Sequence, residues 1–304
     1  LFMQNKIKEE LKDKIQHIFN NIKDKESRYK CFEFFEEKLV LNQIEKINLQ
    51  PESRLEGITF GLKDVYNYQY GFTKRGSAIY EKYKAGNNAR IVDKIIQNKG
   101  IIIGKTKTAE FSIDQPPNTI NYYNKNLHVG TSSSGSAVGC KLNFFDIGLG
   151  TQTAGSTFRP SSYNGLYGFK PSFGLFPRTG LLKTTDTLDH VTLIGKSINN
   201  LKKVFETIKV EGSNYPLINK YVSNNKKFNK KIFFLKGYLW SIFESSTRDK
   251  IESFINKLKD KYELEIINLD LHEEYKQIHK SHEILYNKSL SYYFKDEYKN
   301  NKNK

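Results

Sequence analysis

Lysine and serine residues lie in small-residue surroundings at three places in the first half of this chain. The stretch GITFGLKDVYN places Lys63 among apolar residues at the end of a strand-like run. The stretches GTSSSGSAVG and GTQTAGSTFRP contain Ser132 and Ser156. A serine hydroxyl becomes a nucleophile when a base within hydrogen-bond reach accepts its proton. A lysine whose pKa is lowered by partial burial can be that base. The pattern therefore predicts a serine nucleophile activated by lysine.

The same stretches contain two further parts of such a mechanism. A second hydroxyl can relay the proton, and residues 132–134 are three consecutive serines. The negative oxygen of a tetrahedral intermediate needs converging backbone N–H groups. The tight turn at 153–156 can present several of them, because small side chains leave its backbone accessible. Each residue taken alone also has a structural interpretation: Lys63 as a solvated strand-end lysine, residues 132–134 as loop, and Ser156 as a helix N-cap.

Other kinds of catalytic site are disfavoured by the sequence. The stretch GIIIGKT resembles a phosphate-binding loop, but Lys99 stands where the first glycine of that motif should be. His279 and His282 have a His-x-x-His spacing without an acid or cysteine at ligand spacing, which favours a surface helix over a metal site. The sequence contains no Gly-x-Ser-x-Gly element, and its other histidines have no triad context. We therefore expect neither a metal nor an organic cofactor.

Together, the three motifs resemble the amidase signature family, whose serine hydrolases use a Ser-Ser-Lys triad. The spacing fits that family without a gap, since Ser132 and Ser156 lie 24 positions apart. The resemblance implies that Lys63 is the base, that Ser132 is a bridging serine preceded by a cis peptide bond, and that Ser156 is the nucleophile. It also implies a set of oxyanion and substrate-binding residues: Thr153, Ala154, Gly155 and Ser133.

Three positions depart from the family pattern. Thr131 replaces the usual glycine before the bridging serine, and Ala154 replaces the first glycine of the family's Gly-Gly-Ser. Thr192 stands where a glycine is common. None of these changes removes a triad member, so we expect the triad to be intact.

Polar residues beside the motifs have mainly structural interpretations. We expect Gln152 to brace the turn that carries Ser156, and Asp64 to orient a loop. Arg159 either anchors the nucleophile loop by a salt bridge or touches substrate, and we favour the structural role.

The elements that must position these residues follow from hydrophobic periodicity. Apolar residues at helical spacing predict two N-terminal helices, over residues 5–23 and 29–47. Further predicted helices cover 88–98, 137–141 and 247–262, and predicted strands cover 58–65, 101–103, 145–149, 190–195, 230–237 and 264–271. Strands that alternate with helices indicate an α/β protein. The resemblance implies the amidase signature fold, a mixed central β-sheet covered by helices on both faces.

The chain of 304 residues is long enough for one large domain, and no repeat or Pro-rich linker divides it. We expect a single amidase-type catalytic domain over 1–304. It would comprise N-terminal helices in 1–50, the signature core in 55–200, and a strand–helix–strand segment with the start of an incomplete C-terminal part in 225–304. Family members are considerably longer, so a C-terminally truncated fold is expected.

The formal charge of +16 raises the question of a nucleic-acid or acidic-membrane partner. The lysines are scattered among acids, as in KIKEELKDK, and form no basic stripe with interleaved aromatics. Compositional drift is therefore the favoured explanation. No apolar run reaches the about 18 residues of a membrane span, and no signal-peptide core is evident. The two cysteines, Cys31 and Cys140, are far apart, which favours a reducing cytoplasm.

We therefore predict a cytoplasmic amide hydrolase that forms an acyl-enzyme at Ser156. The expected partner is a small amide substrate, a homodimer is one option for assembly, and no membrane partner is expected. The first alternative is the A-type component of the glutamyl-tRNA amidotransferase, which would release ammonia from glutamine. Nucleic acid is expected only within such a complex, and GKTKTAEFSID is more similar to general amidases. The second alternative is a non-catalytic truncated remnant.

Overall fold

The computed structural model describes residues 2–47, 54–212, 230–270, 275 and 277–301. The α-helices in these residues are α1 (Phe2–Tyr29), α2 (Glu37–Lys46), α3 (Arg90–Gln97), α4 (Ser134–Lys141), α5 (Phe158–Tyr163), α6 (Ile198–Ile208), α7 (Ser245–Tyr262), α8 (Gln277–Tyr293) and α9 (Lys295–Asn300). The strands are β1 (Phe32–Phe35), β2 (Thr59–Lys63), β3 (Ile101–Thr106), β4 (Ile147–Gln152), β5 (Tyr167–Phe169), β6 (His190–Gly195), β7 (Lys231–Lys236) and β8 (Glu265–Asp270). Short 3₁₀ helices lie at Ala78–Tyr80, Glu110–Ser112 and Tyr238–Ile242.

The larger sheet is mixed, with the strand order β1-β3-β2-β4-β6-β5. Its centre is parallel, because β2 pairs in parallel with both β3 and β4. Strand β1 pairs antiparallel with β3, β6 pairs antiparallel with β4, and β5 pairs antiparallel with β6 at the edge. Every residue of β2, β3 and β4 is buried, as expected for central strands that are covered on both faces.

Helices cover both faces of this sheet, and alternate residues of β3 show how the two faces divide. Ile101 and Ile103 belong to a core cluster formed with α1, α2 and α4. Ile102 belongs to the opposite cluster, which is formed with α3 and α6. This alternation follows from the two-residue period of a strand. The mixed sheet with helices on both faces is therefore confirmed.

The predicted helix over 29–47 is wrong in its first part. Helix α1 continues to Tyr29, and Lys30 then adopts a positive φ of 54° that ends the helix. The Glu26 carboxylate accepts hydrogen bonds from the backbone N–H groups of Cys31 and Phe32, at 3.0 and 2.8 Å. The chain is thereby turned into β1, whose aromatic side chains suit a strand that pairs with β3.

The chain divides into two compact units, Leu1–Pro216 with Tyr292–Lys304, and Leu217–Ser291. The first unit contains the six-stranded sheet. The second contains the parallel pair β7–β8 with the helix α7 between them in sequence, which confirms the predicted strand–helix–strand segment. Within the described residues, no helix has the length and apolarity needed to cross a membrane.

Candidate active site

Lys63 lies at the carboxyl end of β2 and has no solvent-exposed surface. Its Nζ lies 2.6 Å from Ser132 Oγ and 2.7 Å from Thr151 Oγ1. The sheet explains this meeting, because β2 and β4 are parallel neighbours and their carboxyl ends share one edge. The structural interpretation of Lys63 as a solvated strand-end lysine is therefore wrong.

The surroundings of Lys63 favour a neutral amine. Complete burial lowers the pKa of Lys63 well below its ordinary value, because the charged form loses its hydration. The negative charge of Asp189 acts in the opposite direction but is the smaller effect. A neutral amine has a lone pair with which to accept a hydroxyl proton, so the environment suits Lys63 to a base.

The stretch around Ser132 is fixed through its backbone. The peptide bond between Thr131 and Ser132 is cis, as the resemblance implies. The Ser132 carbonyl accepts hydrogen bonds from Ala109 N and Thr108 Oγ1, at 3.2 and 3.1 Å. Because these bonds hold the Ser132 carbonyl, the Ser132 hydroxyl is left to face Lys63. Helix α4 then begins at Ser134, inside the predicted loop.

Ser156 follows the end of β4 in a turn and is almost entirely buried. The Ser133 backbone N–H donates a hydrogen bond to the Ser156 carbonyl at 3.2 Å, so the two serine-containing loops are in direct contact. Helix α5 begins at Phe158 with Thr157 as its N-cap. The N-cap interpretation of Ser156 is therefore wrong, and its side chain has no capping role.

Gln152 braces this turn, as predicted. Its Oε1 accepts hydrogen bonds from the backbone N–H groups of Thr157 and Phe158, at 3.0 and 3.2 Å. These groups lie at the start of α5, where N–H groups lack partners within the helix. Gln152 therefore connects the end of β4 to the start of α5 across the turn that contains Ser156.

The turn between β4 and Ser156 contains the residues that the resemblance assigns to the oxyanion hole. Residues 153–155 form a bend in which Ala154 is exposed, while Thr153 and Gly155 are partly exposed. Ser133, by contrast, is fully buried, and its hydroxyl lies 3.3 Å from Thr151 N. Ser133 therefore contacts the β4 backbone.

Asp189 anchors the bend and has no counterpart among the predicted site residues. Its Oδ1 accepts hydrogen bonds from the hydroxyls of Thr153 and Thr184, at 2.7 and 2.6 Å. Its Oδ2 accepts from the backbone N–H groups of Thr184 and Thr185, at 2.8 and 2.9 Å. The buried carboxylate thus ties Thr153 to the segment before β6. The local sequence, TLDH at 187–190, gives no signal for this role.

Two other polar residues occupy structural positions near the site. Asp64 Oδ2 accepts hydrogen bonds from Lys74 N and Arg75 N, at 2.8 and 3.0 Å, which confirms that Asp64 orients a loop. The Arg159 guanidinium lies 3.8 Å from the Asp114 carboxylate, and the two side chains are 45% and 81% exposed. That contact is consistent with the anchoring role favoured for Arg159.

The structure therefore brings Lys63 and Ser132 into hydrogen-bond contact and places the Ser156 loop against Ser133. In the part of the chain that the structure describes, no group of three or more His, Cys, Asp or Glu residues could hold a metal ion.

Comparison with known proteins assigns the family. The family model described as Amidase matches residues 13–303. The chain belongs to the amidase family.

Related amidase-family sequences include components of an amidotransferase. The A-type component of glutamyl-tRNA(Gln) amidotransferase from Brachyspira hyodysenteriae is 30% identical over 295 residues, covering 87% of this chain and 61% of that protein. Its mitochondrial counterpart from Candida albicans strain WO-1 is 35% identical over 161 residues, covering 51% of this chain and 36% of that protein. The chain therefore spans less than two thirds of the length of these curated relatives.

Solved amidase-family structures share the fold. Peptide amidase from Stenotrophomonas maltophilia superposes with a TM-score of 0.73 at 18% identity, covering 94% of this chain and 64% of that one. The A-type component of glutamyl-tRNA(Gln) amidotransferase from Thermotoga maritima gives a TM-score of 0.76 at 21% identity, covering 93% of this chain and 63% of that one. The amidase signature fold is therefore confirmed.

Proposed function

We propose that this protein hydrolyses a carboxamide C–N bond through a serine acyl-enzyme. The observation that carries the proposal is the contact of the buried Lys63 amine with Ser132 Oγ at 2.6 Å. This contact supports a base and a relay hydroxyl side by side, next to the loop that contains Ser156. Membership of the amidase family supports a C–N bond as the target.

The proposed reaction begins with proton transfer. Neutral Lys63 accepts the Ser132 proton while Ser132 accepts the Ser156 proton, and Ser156 Oγ forms a bond to the amide carbon. The developing oxyanion is held by backbone N–H groups in residues 153–156. The C–N bond then breaks, and the leaving amine takes the proton back through Ser132. A water molecule attacks the resulting ester by the same proton route and releases the carboxylic acid.

A fluorophosphonate probe tests the nucleophile directly, because it phosphonylates activated serines and needs no knowledge of the substrate. We expect labelling of the wild-type protein at Ser156, identified by peptide mass spectrometry, and its loss in Ser156→Ala. Ser162→Ala is the matched control, since Ser162 is an exposed serine on the neighbouring helix α5. Labelling that persists in a folded Ser156→Ala protein would contradict the assignment.

A second candidate function is the release of ammonia from glutamine as part of an amidotransferase. The similarity to the Brachyspira amidotransferase component over 87% of this chain favours it. Both functions use the same proposed acyl-enzyme and differ in substrate and partner. Glutamine-dependent ammonia release that requires a copurifying protein would support the amidotransferase, whereas hydrolysis of simple amides by the isolated chain would support an independent amidase. In either case a cytoplasmic location remains our prediction.

A further inference from the structure

A cleft of about 620 Å³ lies between α1, the turn after α4 and the start of α6. Its lining includes the basic side chains of Lys14, His17, Lys25 and Lys196, the carboxylate of Asp146, several asparagine residues and Ser197, and we call it the basic cleft. The cleft is at the other end of the sheet from the candidate active site. Strand β4 begins directly after Asp146 and ends at Gln152, and its length of about 20 Å separates the two places.

The acidic residue of the basic cleft, Asp146, is held in an ion pair with Lys14 through its Oδ2 atom. Asp146 Oδ2 accepts hydrogen bonds from Lys14 Nζ at 2.7 Å, Thr59 N at 2.9 Å and Thr59 Oγ1 at 2.8 Å. Lys14 also donates to the Gly57 carbonyl at 2.7 Å. The Lys14–Asp146 ion pair therefore has no net charge, and its role is structural. It leaves the positive charges of Lys25 and Lys196 uncompensated.

Lys25 and Lys196 are left with uncharged partners. Lys25 donates to the side-chain oxygen of Asn21, and Lys196 donates to that of Asn143 at 2.5 Å. Within the described residues, neither ammonium forms an ion pair with a carboxylate. Partial burial is the main cause that lowers the pKa of Lys196. The nearby Cys140 thiol opposes this shift, and the positive charges of Lys141 and Lys25 add to it. Lys25 and Lys196 therefore add two positive charges to the cleft beyond the Lys14–Asp146 ion pair.

Helix α6 adds to the positive potential of the basic cleft. The helix has 11 residues and begins after the N-cap Ser197, whose hydroxyl accepts a hydrogen bond from Asn200 N at 3.3 Å. Ser197 and Asn200 both line the cleft, so the positive end of the helix dipole lies at its wall. Two ammonium groups and a helix N-terminus are the groups by which proteins bind phosphate.

We propose that the basic cleft binds a small phosphate-bearing anion through Lys25, Lys196 and the N-terminal end of α6. The divalent charge of a phosphate matches the two uncompensated ammonium groups better than a single carboxylate does. A recess walled by three elements suits a small molecule, whereas an RNA backbone would need a basic stripe that continues beyond it. This site is separate from the proposed active site and does not depend on its chemistry.

Isothermal titration calorimetry of the full chain at constant ionic strength tests the proposal, with inorganic phosphate and pyrophosphate as probes and chloride as the reference anion. We expect saturable one-to-one binding that Lys25→Gln and Lys196→Gln each weaken by about tenfold or more, since each removes a charge-assisted hydrogen bond. Lys82→Gln is the matched control, because it removes the same charge from an exposed lysine outside the cleft. Circular dichroism of the variants establishes that each is folded.

Several results would overturn the proposal. These are the absence of saturable binding, unchanged affinity in the folded Lys25→Gln and Lys196→Gln proteins, or an equal loss of affinity in Lys82→Gln.

A ribonucleoside monophosphate and a short RNA oligonucleotide are two further ligands to be titrated. Binding of the oligonucleotide without binding of phosphate or pyrophosphate would replace the proposal with a nucleic-acid contact. Fluorophosphonate labelling should be unchanged in Lys196→Gln, which separates failure here from failure of the proposed hydrolase.

Discussion

At the scale of single residues, Lys63 is the feature that makes the proposed chemistry sensitive to pH. Burial lowers the pKa of Lys63, so the amine is neutral at a pH where a solvated lysine, with a pKa near 10.5, is still protonated. Since only the neutral form accepts a proton, the rate of fluorophosphonate labelling should rise with pH through the lowered pKa and then level off. Rates measured across pH check this, and a rise confined to the range of a solvated lysine would contradict it.

Replacement of Lys63 tests the same point by a second route. Lys63→Met keeps an unbranched side chain but removes the base, so we expect the labelling rate to fall by about 10²–10⁴-fold and its rising pH limb to disappear. The midpoint of thermal unfolding should stay close to that of the wild type, because an uncharged thioether replaces a desolvated amine. A labelling rate that stays at the wild-type level in this variant would remove Lys63 from the mechanism.

Thr151 is a positioning residue in this scheme, because its Oγ1 lies 2.7 Å from Lys63 Nζ. Thr151→Val keeps the shape of the side chain and removes this partner, so we expect labelling to slow by about tenfold, the equivalent of one hydrogen bond. Thr151→Ser restores a hydroxyl and should recover most of the rate without changing the pH profile. Equal rates in the Val variant and the wild type would show that Ser132 alone orients the amine.

The triad candidates could be found from sequence, whereas Thr151 and Asp189 could not be given roles. Lys63, Ser132 and Ser156 each belong to a contiguous motif. Few functions other than a serine nucleophile with a lysine base need these three motifs in one chain. Thr151 and Asp189 act through partners that are distant in sequence, and only the sheet brings those partners close. Neither residue type has a distinctive pattern by itself, so their roles follow from the tertiary structure.

At the scale of elements, most strands and helices were predictable because β-branched runs and helical periodicity are strong local signals. Strand β1 was missed because Phe34 and Phe35 also fit the apolar spacing of a helix with Leu39 and Ile44. Its strand conformation depends on pairing with β3, which is about 70 residues away in sequence. When an apolar pattern fits both the helical and the strand period, the tertiary partner decides which of the two structures forms.

The carboxyl ends of β2 and β3 are joined by a buried ion pair between Asp64 and Lys105, at 2.5 Å. Burial raises the pKa of Asp64 to about 6, although the charge of Lys105 opposes that shift. Removing one partner leaves the other charge buried and alone, so Asp64→Asn and Lys105→Met should each lower the free energy of unfolding by about 3–5 kcal/mol. The double variant should lose clearly less than the sum, as measured by urea denaturation. Additive losses would contradict the coupling.

At the scale of the whole molecule, the second unit exposes an apolar sheet face. Phe233 and Leu235 of β7 are 60% and 52% exposed, and they are in register with Ile267 and Leu269 of β8 on the same face. The alternate residue Phe234 packs against Trp240. One face of the pair is thus packed while the other presents contiguous apolar side chains to solvent, and such a surface promotes association.

Replacing this exposed face should therefore reduce self-association. Phe233→Thr combined with Leu235→Thr keeps residues that favour a strand while removing most of the exposed apolar surface on β7. We expect sedimentation velocity at high protein concentration to show less oligomer, and binding of an apolar dye to decrease. Tyr167→Thr is the control, because Tyr167 is 52% exposed but lies on β5 of the first unit. If the double variant and the control behave alike, this face does not drive association.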